Sequence, residues 1–212
     1  MEALNFELYR PAEMELWIGE MFHRSGLRAP ADLNDWDKVA SLFGAHIAYT
    51  EGETKVLYDE EGDCLIFLNI HMDKHRQKLA FFHELSHPAL HTGNQRQLPQ
   101  SFVALQETQA GLFQLYSAMP IHMLQAFVQL HYHPQDVRLL AEAFDVPPSF
   151  VRKRLDRIAG RIRQQRSDRQ LRERIAGSSE SRREPYSDMT NRLLRQLYRQ
   201  TEASRSAGMT KG

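Results

Sequence analysis

The stretch His83-Glu84-Leu85-Ser86-His87 combines the residue types and the spacing that hydrolytic metal chemistry requires. On a helix, residues four apart share a face, so His83 and His87 project side by side. Two neutral imidazoles so placed can hold one Zn²⁺ at about 2.0–2.1 Å each. Glu84 follows the first imidazole directly. It is too close to that histidine to share the ion comfortably, but placed to take a proton from a water the ion activates. A catalytic zinc needs a third protein ligand and an open position. Glu107 is the only acidic residue between His87 and Asp136, which makes it the candidate third ligand. The plainer alternative is a pair of core histidines and an exposed helix glutamate. The motif alone is a hypothesis, and its context decides.

That context begins with the helix behind the motif. Leu79, Phe82 and Leu85 give it an apolar side that can seat it in a core. Pro88 directly follows the second histidine, so the helix is predicted to kink or end near His87. His91 then caps or packs near the site rather than extending the histidine stripe. Glu107 falls in a predicted helix over Phe102–Ser117, closed by Met119-Pro120. Upstream, helices are predicted over Pro11–Arg24 and from Leu33 to Gly44, with Asp32 or Asn34 as N-cap. Between them and the motif lie three strand candidates, Ala45–Tyr49, Lys55–Tyr58 and Cys64–Leu68, read as a small antiparallel meander. His71 and His75 are read as surface or capping residues. Asp73 is a candidate to orient a ligand imidazole.

Downstream, helices are predicted over Ile121–Leu130, Gln135–Phe144 and Phe150–Ile158. The last two suggest a weak helix-turn-helix outline. His131 and His133 could line the cleft, although loop histidines are usually plain surface residues. After Gly160 the chain becomes rich in Arg and Gln. Gly177–Ser181 reads as a flexible linker, Met189–Gln200 as an amphipathic helix, and the last residues as disordered. The expected organisation is α+β, a mostly helical body over residues 1–158 and a basic helical or disordered tail over 159–212.

Bulk properties narrow the function classes. Of 212 residues, 42% are apolar and 25% charged, which is ordinary for a globular protein. Cys64 is the only cysteine, which removes intramolecular disulfides and cysteine-rich zinc sites. No secretory leader and no run of membrane-spanning length is visible, so a cytoplasmic location is expected. The formal net charge is zero, yet residues 151–212 carry 17 basic and 7 acidic residues, leaving −10 on the first 150. Such a tail leaves nucleic-acid contact open. Scattered arginines are not a patch until a fold clusters them, so a solvated helix is the competing reading.

Together these residues resemble the ImmA/IrrE family of small bacterial and phage metallopeptidases. The resemblance runs from about Leu33 to Arg157. It comprises the apolar strand ending in Leu68-Asn69, the basic approach Lys74-His75-Arg76-Gln77, the motif Phe82–His87, and the helix bearing Glu107, Ala110 and Phe113. Met119-Pro120, the segment Leu140–Val146 and the ending Arg154-Leu155 complete it. Ser86 and Pro88 depart from the usual pattern. The resemblance implies a gluzincin-like, zincin-type fold, with zinc on His83, His87 and Glu107 and Glu84 as general base. It further implies a protein substrate, a helix-turn-helix repressor of a phage, mobile element or stress regulon. The competing function is a non-catalytic anti-repressor or toxin–antitoxin type binding protein whose metal is structural.

Overall fold

The computed structural model describes residues 4–58, 63–91, 99–127, 133–181, 189–190 and 192–193. It divides into two compact units, Met1–Gln165 and Arg166–Gly212. In the first unit a short 3-10 turn precedes α1 (Glu13–Arg24), and a second 3-10 turn (Pro30–Asn34) leads into α2 (Trp36–Ser41). Strands β1 (Ala45–Thr50), β2 (Lys55–Tyr58) and β3 (Cys64–Asn69) follow. Then come α3 (Lys74–Leu90), α4 (Gln100–Ala118), α5 (Ile121–Leu124), α6 (Pro134–Phe144) and α7 (Pro148–Ser181). The architecture is α+β and mostly helical, as expected.

The sheet corrects one expectation. It is mixed, not an antiparallel meander: the order is β1-β3-β2, with β1 parallel and β2 antiparallel to β3. The most apolar strand takes the centre, where Cys64, Ile66 and Leu68 are buried on one face. The β1–β2 connection crosses the end of β3 and is tied there. Asn69 donates through its amide to the Gly52 carbonyl (2.7 Å), and the Asn69 N–H donates to Thr54 Oγ1 (3.0 Å). These side-chain bonds are not visible in strand periodicity, and they let β3 enter between its two predecessors.

Several helix boundaries also differ from expectation. The predicted helix from Leu33 is split, and Asp35 caps α2 by accepting the Lys38 N–H (3.1 Å). Asp32 instead closes the preceding turn by accepting the Arg28 and Ala29 N–H groups, each at 2.8 Å. In α3, Pro88 removes only one N–H, and the His91 N–H still donates to the His87 carbonyl (2.9 Å), so the helix reaches Leu90. Helix α5 ends at Leu124, and residues 128–132, including His131, lie outside the described residues. Helix α7 does not stop near Ile158. It continues through Gly160 and through the stretch read as a linker. The predicted Met189–Gln200 helix lies mostly outside the described residues.

The core holds α3 and α4 in register. Trp17 of α1 packs on Phe43 (5.9 Å between ring centroids) and on Phe113 of α4 (6.3 Å), while Trp36 stacks on Phe81 of α3 (5.7 Å). At the start of α3, Lys78 is fully buried and donates to Asn34 Oδ1 (2.8 Å) and to the Phe144 carbonyl (2.6 Å). Burial pulls its ammonium down to about 8. Asp145, in the left-handed region at φ 53, pairs with Lys74 (2.7 Å) and His75 (3.0 Å). These bonds clamp the first two turns of α3 to the end of α6.

Candidate metal centre

Helices α3 and α4 bring the three candidate ligands to one point. His83 Nε2 lies 3.2 Å from Glu107 Oε2, and His87 Nε2 lies 4.0 Å from Glu107 Oε1. One donor atom from each of the three lies within 4.8 Å of the others. Donors about 2.0–2.1 Å from a tetrahedral ion are separated by roughly 3.3–3.4 Å. The three donors are near enough to that spacing to converge on one divalent ion. Exposure is graded: the His87 side chain is 9% exposed, His83 30% and Glu107 45%. The site is anchored on its inner side and open on its outer side.

Burial pushes His87 below the ordinary histidine range, Glu107 opposes this, and His83 and His91 add to the depression. The neutral, metal-competent imidazole is thereby favoured near neutral pH. The ring of His91 lies 5.8 Å from that of His87, so the residue that caps α3 also packs beside the site. His91 is absent from the converging set. His133 caps α6 by accepting the Gln135 N–H (3.3 Å). Asp73 is the N-cap of α3 and accepts the Arg76 N–H (3.0 Å). Ten residues of helix, about 15 Å, separate it from His83, so it does not orient a ligand imidazole.

Glu84 points to the free side of β2, where its carboxylate accepts the Val56 N–H. Burial, reinforced by the Glu107 carboxylate and opposed by the Val56 bond, raises its carboxyl to about 7. A carboxyl poised there can both take and return a proton near neutral pH. The position of β2 beside this residue escaped the sequence, because strand order cannot be read from periodicity. One consequence concerns stability. A carboxyl raised in the fold stabilises it below the unfolded value near 4.5 and loses that contribution as pH rises through about 7. In metal-free protein, Glu84→Gln should therefore be more stable than the parent by on the order of 2 kcal/mol at pH 8, with little difference at pH 5. Paired urea titrations at the two pH values check this. A difference that does not change with pH contradicts it.

A side-chain bond ties the two helices near the site. Gln114 of α4 donates through Nε2 to the Leu79 carbonyl of α3 (2.8 Å). Leu79 is one turn before His83, and Gln114 is two turns after Glu107. Gln114→Ala should lower metal affinity on the order of 10-fold, the scale of outer-sphere losses. Chelator competition measures it, and an unchanged affinity removes the positioning role.

Parts of this chain are similar to known proteins. A curated relative, the uncharacterized protein YqaB of Bacillus subtilis (strain 168), is 22% identical over 147 residues, covering 69% of this chain and 84% of its own length. A solved structure, a Mycobacterium tuberculosis transcriptional regulator, aligns over 66% of this chain with 17% identity and a TM-score of 0.47. The chain spans 46% of that regulator's length. The family model for the IrrE N-terminal-like domain, peptidase M78, matches residues 40–156. That span contains the strands, the His-Glu-x-x-His helix and the Glu107 helix, and the chain belongs to this metallopeptidase-type family.

Proposed function

We propose that the protein is a zinc-dependent endopeptidase that hydrolyses a peptide bond in a helix-turn-helix transcriptional repressor of a phage, mobile element or stress regulon. The observation that carries this reading is the convergence of His83, His87 and Glu107 beside the half-buried Glu84 carboxyl. His83, His87 and Glu107 are the proposed metal ligands, and Glu84 is the proposed general base. Zinc, when bound, supplies Lewis acidity that polarises a peptide carbonyl and makes water a competent nucleophile at neutral pH. Glu84 accepts the proton of the attacking water at one carboxylate oxygen, and the Val56 N–H holds the carboxylate in place. The protonated carboxyl then returns that proton to the leaving amine nitrogen. The half-exposed Glu107 leaves the outer side open to a macromolecular substrate.

Endopeptidase action is favoured over sequestration because a purely structural zinc has no use for a poised carboxyl next to its ligands. The repressor substrate follows from the family resemblance. Among the described residues, no helix is long and apolar enough to cross a membrane. The test is to incubate the full chain with zinc and a candidate helix-turn-helix repressor substrate. Discrete fragments that vanish with chelator and return with zinc are expected. A stable complex without fragments would instead support the binding-protein reading.

A further inference from the structure

We propose that Gly111 marks the place of an orienting group in the metal centre: a carboxylate there, facing His83, fixes that imidazole and tightens the hold on zinc. The inference rests on His83, His87 and Glu107 being the ligands. An imidazole that binds metal through one ring nitrogen ordinarily donates the N–H of the other to a carboxylate or a carbonyl, which sets its tautomer and its orientation. His83 turns Nε2 toward Glu107 (3.2 Å), so Nδ1 is the nitrogen that needs such a partner. Among the described residues the ring of His83 has no hydrogen-bond or ion-pair partner other than Glu107. Ser86 Oγ donates to the His83 backbone carbonyl (2.6 Å) and leaves the ring alone.

The helix geometry brings position 111 to this ring. Gly111 is four residues after Glu107 on α4, so the two share a face. Side chains lean toward the N-terminus of their helix, so one at 111 leans back over the turn of Glu107. Here α3 and α4 run in opposite directions: Glu107 meets His83, and Gln114 meets Leu79. Position 111 falls between these two contacts, opposite the turn of α3 that leads into His83.

Nothing about the backbone requires glycine there. Gly111 is not among the residues in the left-handed region, and a Cβ on it has no atom within 4 Å. Glycine inside a helix weakens it relative to alanine. What glycine supplies at 111 is room, on the half-buried wall of the cleft, beside an imidazole nitrogen with no acceptor. Aspartate is the shortest side chain that puts a charged acceptor into that room.

The experiment is zinc affinity by competition with a chromophoric chelator, for the full chain and its variants. Loss of an orienting partner typically costs metal affinity 10–100-fold, so Gly111→Asp should bind zinc at least about 10-fold more tightly than the parent. Gly111→Asn, which has an acceptor but no charge, should keep part of the gain. Gly111→Ala should raise the urea midpoint of the metal-free protein and leave zinc affinity unchanged. Thr108 is exposed and lies about 100° around α4 from Glu107, so Thr108→Asp adds the same charge without facing His83 and should gain less. In zinc-loaded Gly111→Asp, the Nδ1 proton of His83 should exchange slowly with water in ¹⁵N-edited NMR spectra, unlike that in Gly111→Ala. The proposal is overturned if Gly111→Asp binds zinc no more tightly than Gly111→Ala or Thr108→Asp, or if that proton exchanges as fast as in Gly111→Ala. Zinc affinity indifferent to Glu107→Ala would mean that the ligand assignment itself has failed. Affinity lost in Glu107→Ala but unmoved by Gly111→Asp would defeat this inference alone.

Discussion

Glu84→Gln is expected to retain the metal while losing peptide hydrolysis by about 10²–10⁴-fold, the range a positioned general base contributes. The substitution preserves shape and keeps an oxygen to accept the Val56 N–H. It removes only the ability to accept a proton, so a parallel loss of metal is not expected. Measured side by side, fragment yield should collapse and zinc content should not. A variant that cuts as fast as the parent would remove Glu84 from the chemistry. A variant that loses its metal would mean that Glu84 is a ligand or that the site has collapsed.

Arg154→Ala should destabilise the fold by about 3–5 kcal/mol, the cost of leaving a buried partner charge alone. Arg154 is fully buried on α7, and its Nη2 lies 2.6 Å from Glu15 Oε1 on α1. Its Nε donates to the Met119 carbonyl (3.0 Å), and its guanidinium lies 4.9 Å over the Tyr116 ring. Glu15 is also buried, and it accepts the Tyr9 hydroxyl (2.7 Å) and the Ala12 N–H (2.9 Å). One guanidinium therefore joins α1, the end of α4 and the base of α7. Replacing both members, Glu15→Leu with Arg154→Met, should recover most of the loss, because the stranded carboxylate is the main cost. Urea titration of the single and double variants decides it. A single variant within 1 kcal/mol of the parent would show that water reaches the pair.

The Arg154 network shows where sequence reasoning stops. Glu15 and Arg154 are 139 residues apart and neither announces the other. The helix bearing His83 and His87 was legible because its chemistry repeats at helical spacing. Glu107 was legible because it is the sole acid across a long interval, which is elimination rather than periodicity. The strands were legible as strands, but their order was not, since the bonds of Asn69 that fix it come from a side chain and a turn. Pro88 misled because a proline late in a helix costs one hydrogen bond, and packing of α3 against its neighbours outweighs that. Gly160 and Gly177 misled for a related reason: a glycine weakens a helix by about 1 kcal/mol without ending it. The role of Val56 toward Glu84 could not be seen before β2 had a place.

The most direct test is a count of zinc after passage over a chelating column, for the parent and for Glu107→Ala. The parent should retain one ion per chain, with a first shell of two imidazole nitrogens and carboxylate oxygen by X-ray absorption, and the variant should emerge without it. A parent with no zinc, or a variant that keeps its ion with the parent's spectrum, would contradict the assignment of these three side chains as the metal ligands.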